Sequence, residues 1–115
     1  MSLREVEIVK KASAIWHGVS VADMEKKGSG LRKASVQEAK RMVCGACVLM
    51  GISNMNEVTN SMTVCQAGYY AYVKDFKDLR RINPHFRKRT DQFLEAVQVA
   101  LDEANAPLRK EIAAL

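Results

Sequence analysis

The sequence predicts an all-α bundle that contains a helix-turn-helix, on three observations. Apolar residues make up 48% of the 115-residue chain but aromatics only 6%, with Ala, Val, Met and Leu carrying the apolar load, a balance that favours helix over strand. The apolar positions recur at the 3.6-residue period of an amphipathic helix. Three helix starts of the capping-box kind, Ser35-Val-Gln-Glu38, Asn54-Met-Asn-Glu57 and Thr63-Val-Cys-Gln66, lie within 32 residues. Each pairs a capping side chain with an acceptor three residues on, which satisfies the orphan N–H groups at a helix start.

The first helix is expected over Leu3 to Trp16, with Val6, Val9, Ala12 or Ser13, and Trp16 on one face. Gly18 stops it, and Ser20-Val-Ala-Asp23 caps a short helical turn that runs through Met24. Lys26 to Lys33 holds two glycines, a serine and four basic residues, which reads as a basic loop. From Ser35 the set Val36, Ala39, Met42, Val43, Ala46, Cys47 and Met50 marks a buried helix. Gly51 supplies its left-handed C′ residue, with Ile52 closing back onto the last turn.

The next helix must be short, with Met55, Val58 and Met62 facing inward between the Asn54 and Thr63 starts. A longer helix follows, from Val64 to about Leu79, which buries some of Ala67, Tyr70, Ala71, Val73 and Phe76. Asn83-Pro84 is an N-cap followed by proline at the first helical position, a strong start signal. Phe86, Phe93, Val97, Ala100 and Leu101 carry this last helix to about Ala104, and Pro107 opens a final short segment. At this length one domain is expected over 1–115, with a helix-turn-helix core at 18–79 and a C-terminal helical extension at 83–115.

Formal charge is +5 and the sequence pI about 9.3, an excess that suits a polyanionic partner. Basic residues gather in two places: Lys26, Lys27, Arg32, Lys33, Lys40 and Arg41, then Arg80, Arg81, Arg87, Lys88 and Arg89. Solvated helix faces are the plain alternative for both clusters. No run of 18 apolar residues and no signal-peptide pattern occurs, and the three cysteines are an odd number. These features lead to the expectation of a cytoplasmic protein in a reducing compartment.

Cys44-Gly-Ala-Cys47 invites a redox or zinc assignment. A reactive pair of this kind sits at a helix N-terminus, whereas this one falls about nine residues inside a helix. Cys65, His17 and His85 are scattered singly rather than at zinc-ligand spacing. The cysteines therefore read as small packing residues. Gly28-Ser-Gly30 lacks the ending of a phosphate loop, and neither histidine has a serine or carboxylate partner at catalytic spacing. No catalytic activity, cofactor or metal is expected.

A long helix, a tight turn, a two-turn helix, another turn and a longer helix is the layout that places its last helix in a DNA groove. The residues at the start of that helix are Thr63, Val64, Cys65, Gln66 and Tyr69. A glutamine amide pairs in bidentate fashion with adenine N6 and N7, although Gln66 could equally cap the backbone of Thr63. Tyr69 would contact a phosphate or a thymine methyl.

In this order of residues the stretch from Gly18 to about Leu79 resembles the C-terminal DNA-binding domain of the bacterial replication initiator DnaA, a fold related to the Trp repressor. The features that carry the resemblance are Val19-Ser-Val-Ala-Asp23-Met24 for the family's short helix and Lys26-Lys27 with Arg32-Lys33-Ala34-Ser35-Val36 for its basic loop. Ala39-Lys40-Arg41-Met42, Asn54-Met55-Asn56-Glu57-Val58 and Met62 follow in register over about 60 of the 115 residues. The family's signature Gly-Gly-Arg-Asp-His-Thr-Thr-Val falls on Thr63 to Tyr70, and none of those residues matches it.

The resemblance implies a Trp-repressor-like bundle in which Lys26, Lys27, Arg32, Lys33 and Lys40 grip phosphates, while the helix-turn-helix layout itself leads to Thr63, Gln66 and Tyr69 as the groove contacts. It does not carry over the family's sequence readout. With no nucleotide-binding domain, no ATP-driven role is expected. The function expected is non-catalytic duplex-DNA binding in replication or transcription control, nucleoid-associated, on a chain of phage or mobile-element type. The alternative is an all-α interaction or oligomerisation module that has lost DNA binding, with Phe93, Val97, Leu101 and Leu108 on the C-terminal helix pairing with a second copy.

Overall fold

A computed structural model describes residues 3–25, 34–52 and 54–114, with side chains described over 5–25, 34–52 and 54–104. The described residues form six α-helices: α1 (Leu3–His17), α2 (Val21–Glu25), α3 (Ala34–Met50), α4 (Met55–Ser61), α5 (Gln66–Ile82) and α6 (Pro84–Ala114). No strand occurs among them, so the fold is all-α. Buried residues from all six helices and the α4–α5 turn make one core cluster, from Val6 and Val9 on α1 through Met24, Val43, Val58 and Phe76 to Phe93 and Val97 on α6. Each fully buried Val or Phe contributes about 1.5–3 kcal/mol relative to exposure.

The helix ends follow local chemistry. Gly18 and Gly51 both have φ +64°. At the first, Val19 N–H reaches Ala14 O at 3.0 Å and Gly18 N–H reaches Ile15 O at 3.3 Å. At the second, Ile52 N–H bonds Cys47 O at 3.3 Å and Gly51 N–H bonds Val48 O at 3.2 Å. Both are Schellman closures, which need the left-handed backbone that glycine adopts without cost. The Ser20 hydroxyl accepts from Asp23 N–H at 3.0 Å, and Asn54 makes a full capping box with Glu57. Asn83 closes α5 through its N–H to Leu79 O, and its side chain accepts from Phe86 N–H at 3.1 Å to open α6.

Three sequence expectations are corrected. Helix α3 starts at Ala34, so Ser35 lies inside it rather than capping it. Thr63 does not cap α5: the helix begins at Gln66, and the Cys65 thiol accepts from Gly68 N–H at 3.3 Å. The Thr63 hydroxyl and N–H are instead bonded to the end of α2, and that tertiary contact outweighs the local capping pattern. Helix α6 continues through Pro107 to Ala114, because proline's fixed φ is helical and its cost is confined to one lost hydrogen bond and local crowding. At 31 residues α6 is about 46 Å long at 1.5 Å per residue, which accounts for most of the molecule's 51 Å long axis.

Helix α3 runs through the centre. Ser13 Oγ donates to Ala39 O at 2.8 Å and pins α1 to it. On the α5 side, a Cβ built at Gly45 would lie 2.1 Å from the Phe76 ring, so the two helices approach as closely as a missing side chain allows. The Phe76 ring meets Phe86 edge-on at 5.6 Å, and Trp16 meets Phe93 edge-on at 5.4 Å. Arg80 ties α5 to α6 through Thr90 Oγ1 at 2.6 Å and Asp91 Oδ1 at 2.8 Å. Phe93, Val97 and Leu101 are spent in this core, so the apolar stripe expected to pair with a second copy is consumed within the chain. The side chain of Leu108 lies outside the described residues.

Candidate nucleic-acid interface

The α4–α5 turn is held from three directions. Thr63 N–H donates to Met24 O at 3.4 Å, and the Thr63 hydroxyl donates to Glu25 O. From α3, Lys40 Nζ donates to Thr63 O at 3.2 Å. Beneath them lies Lys10, 1% exposed, whose ammonium donates to Ser61 O at 2.8 Å, to Glu7 Oε1 at 2.9 Å and to Glu25 Oε2. Three acceptors match the three N–H groups of the ammonium, which makes its burial tolerable. Nothing near Lys10 in the sequence marks it as buried, because two of its three partners are 15 and 51 residues away.

Of the expected site residues, Lys26, Lys27, Arg32 and Lys33 lie outside the described residues. The flanks of their segment are described. Glu25 precedes it and is bonded to Thr63, while Ala34 opens α3, whose second turn carries Lys40. Burial holds the Lys40 amine below the usual lysine range. Its bond to Thr63 uses one of three protons, which leaves two for a phosphate oxygen.

Gln66 and Tyr69 divide. Gln66 is exposed at the first position of α5, and its amide makes no hydrogen bond among the described residues, so it does not cap Thr63. Tyr69 is 6% exposed and packs in the core, where burial first and the neighbouring thiols next push its phenol up. This corrects its placement on a groove. The exposed tyrosine is Tyr70, 56% accessible, with its ring edge-on to Tyr69 at 5.6 Å. Gln66, Tyr70 and Lys74 follow at i, i+4 and i+8 along one exposed face, with Ala67 and Ala71 beside them. The signal for Tyr70 was available, since Phe76 is core and Tyr69, seven residues earlier, falls on the same face.

A groove of 590 Å³ runs past Glu25 and along residues Thr59 to Cys65. Cys65 is exposed there, whereas Cys44 and Cys47 are buried within α3. Burial, helped by Cys47, pushes the Cys44 thiol up to about 12, too high for a thiolate nucleophile near neutrality. Among the described residues no three His, Cys, Asp or Glu side chains converge as a metal cage would require, and no helix is long and apolar enough to cross a membrane.

No protein-family model, curated protein or solved structure matches the chain.

Proposed function

We propose that the chain is a non-catalytic, DnaA-like helix-turn-helix protein that binds duplex DNA and acts in replication or transcription control. Helix α4, the turn Met62–Cys65 and α5 are its reading unit, and α3 braces them. The observation that carries this reading is the tie between Glu25 and Thr63. It sets Glu25, the residue that precedes the basic segment in sequence, against the turn that leads into α5, and a duplex gripped by its phosphates and entered by a helix needs both groups of contacts together. The uncommitted Gln66 amide and the exposed Tyr70 further support it.

In this reading Lys26, Lys27, Arg32, Lys33 and Lys40 contact phosphates and set register, while Gln66 and Tyr70 face the groove. Thr63 serves as a strut, because its hydroxyl, N–H and carbonyl are all engaged. The test is the R32Q/K33Q/K40Q variant, measured against the wild type by fluorescence anisotropy with a mixed-sequence duplex. Affinity should fall by a factor of ten or more at moderate salt while the helical circular dichroism is retained. An unchanged affinity would overturn the reading.

A further inference from the structure

The start of α6 carries a second cationic surface that the helix-turn-helix does not use. His85, Arg87, Lys88 and Arg89 are exposed there, while Phe86 and Thr90 turn inward. No carboxylate among the described residues lies within ion-pair distance of Arg87, Lys88 or Arg89, in contrast to Arg80, which is neutralised by Asp91 at 2.8 Å, and Arg81, which has Asp78 at 3.5 Å. Further positive charge stands close by. Arg41 of α3 lies over the Phe86 ring at 5.2 Å, and both Arg89 and Arg41 act on His17 at the end of α1, with Glu38 opposing them.

Cations from two helices, α3 and α6, thus gather around the first turns of α6. Such crowding works against folding, since like charges repel, and a bound polyanion relieves it. The spacing suits one duplex. Helix α5 is 17 residues long, so the start of α6 lies about 24 Å along it from Gln66. That is less than one helical turn of duplex, about 34 Å.

We infer that Arg87, Lys88 and Arg89 form a second, sequence-independent contact to the phosphate backbone of the same duplex that the α4–α5 unit engages. The inference rests on the DNA-binding reading and extends the footprint to the C-terminal end of α5. Its contribution should be purely electrostatic, because the three side chains are exposed and each releases about one counterion per neutralised phosphate.

The test is the full-length R87Q/K88Q/R89Q variant beside the wild type and the charge-preserving R87K/K88R/R89K variant. Binding to a mixed-sequence 24-base-pair duplex is measured by anisotropy across 50 to 200 mM KCl. Each phosphate contact accounts for about 0.9 of the slope of log K against log salt, so three lost contacts should flatten it by about 2.7. Over this fourfold salt range the wild type should lose about 40-fold more affinity than the neutral variant, while the charge-preserving variant should follow the wild type. A neutral variant with the wild-type slope, beside a wild type that binds, overturns this inference and leaves the DNA reading standing. A wild type that fails to bind at 50 mM overturns both. Should the triple variant lose helical circular dichroism, the single K88Q variant decides, with a slope change of about 0.9 expected and none refuting.

Discussion

Replacing Gly45 by alanine should destabilise the protein, although alanine is the better helix former. The new Cβ would stand 2.1, 2.3 and 2.5 Å from Cγ, Cδ2 and Cδ1 of Phe76, against an optimal carbon separation of about 3.5–4.0 Å. Ring and helix must therefore separate by more than about 1 Å. The ring has little room to turn, since it is fully buried and lies edge-on against Phe86. Overpacking of this kind costs about 1–3 kcal/mol and here belongs at the upper end. The gain in helix propensity returns about 1 kcal/mol. The net loss is about 2 kcal/mol, which lowers Tm by about 8 °C or more for a domain of this size. Urea and thermal unfolding followed by circular dichroism measure it. A Gly45→Ala, Phe76→Leu double variant should lose at least about 1 kcal/mol less than the two single losses summed, because removing the ring relieves the clash. A Gly45→Ala protein more stable than wild type, or strict additivity in the double variant, would refute the α3–α5 packing described here.

Further expectations follow from the buried groups. Lys10→Met should cost about 1–3 kcal/mol in urea unfolding, because the buried Ser61 carbonyl loses its donor. The half-exposed Glu7 and Glu25 carboxylates can return to water and add little, and an unchanged midpoint would contradict the strapping role of the ammonium. Of the three cysteines, only Cys65 should react rapidly with a thiol reagent in the native protein, and all three should react in denaturant; rapid native reaction of two or more would contradict the burial of Cys44 and Cys47. His17 is held below 6.5, chiefly by burial. The unfolded chain therefore binds the proton first as pH falls through 6.5, and stability should decline on acidification from there toward the lower folded value. His17→Gln should flatten that decline, and a His17→Gln profile identical to wild type over this window would refute the assignment.

Features governed by neighbours in sequence were legible before the fold. Gly18, Gly51, Ser20, Asn54 and Asn83 each end or start a helix with partners within five residues. Features governed by distant partners were not. Thr63 carries a capping pattern as good as that of Asn54, but Glu25 and Met24 compete for its hydroxyl and N–H from 38 and 39 residues away. Lys10 reads as solvent-facing because a lysine is expected to be so, and only the meeting of α1, α2 and α4 supplies its acceptors. The Tyr69 and Tyr70 assignment was a matter of helical phase, with the needed marker, Phe76, already in view. The stripe on α6 was recognised correctly as apolar, yet periodicity cannot say whether such a face meets its own chain or another. Here the core takes it.

The central claim is most directly tested by the salt dependence of duplex-DNA binding by the full-length chain. Five phosphate contacts from the basic segment and Lys40 predict a slope of log K against log salt of about −4 to −5, and steeper with the α6 surface engaged. A flat dependence, or no binding at low salt, would contradict the account.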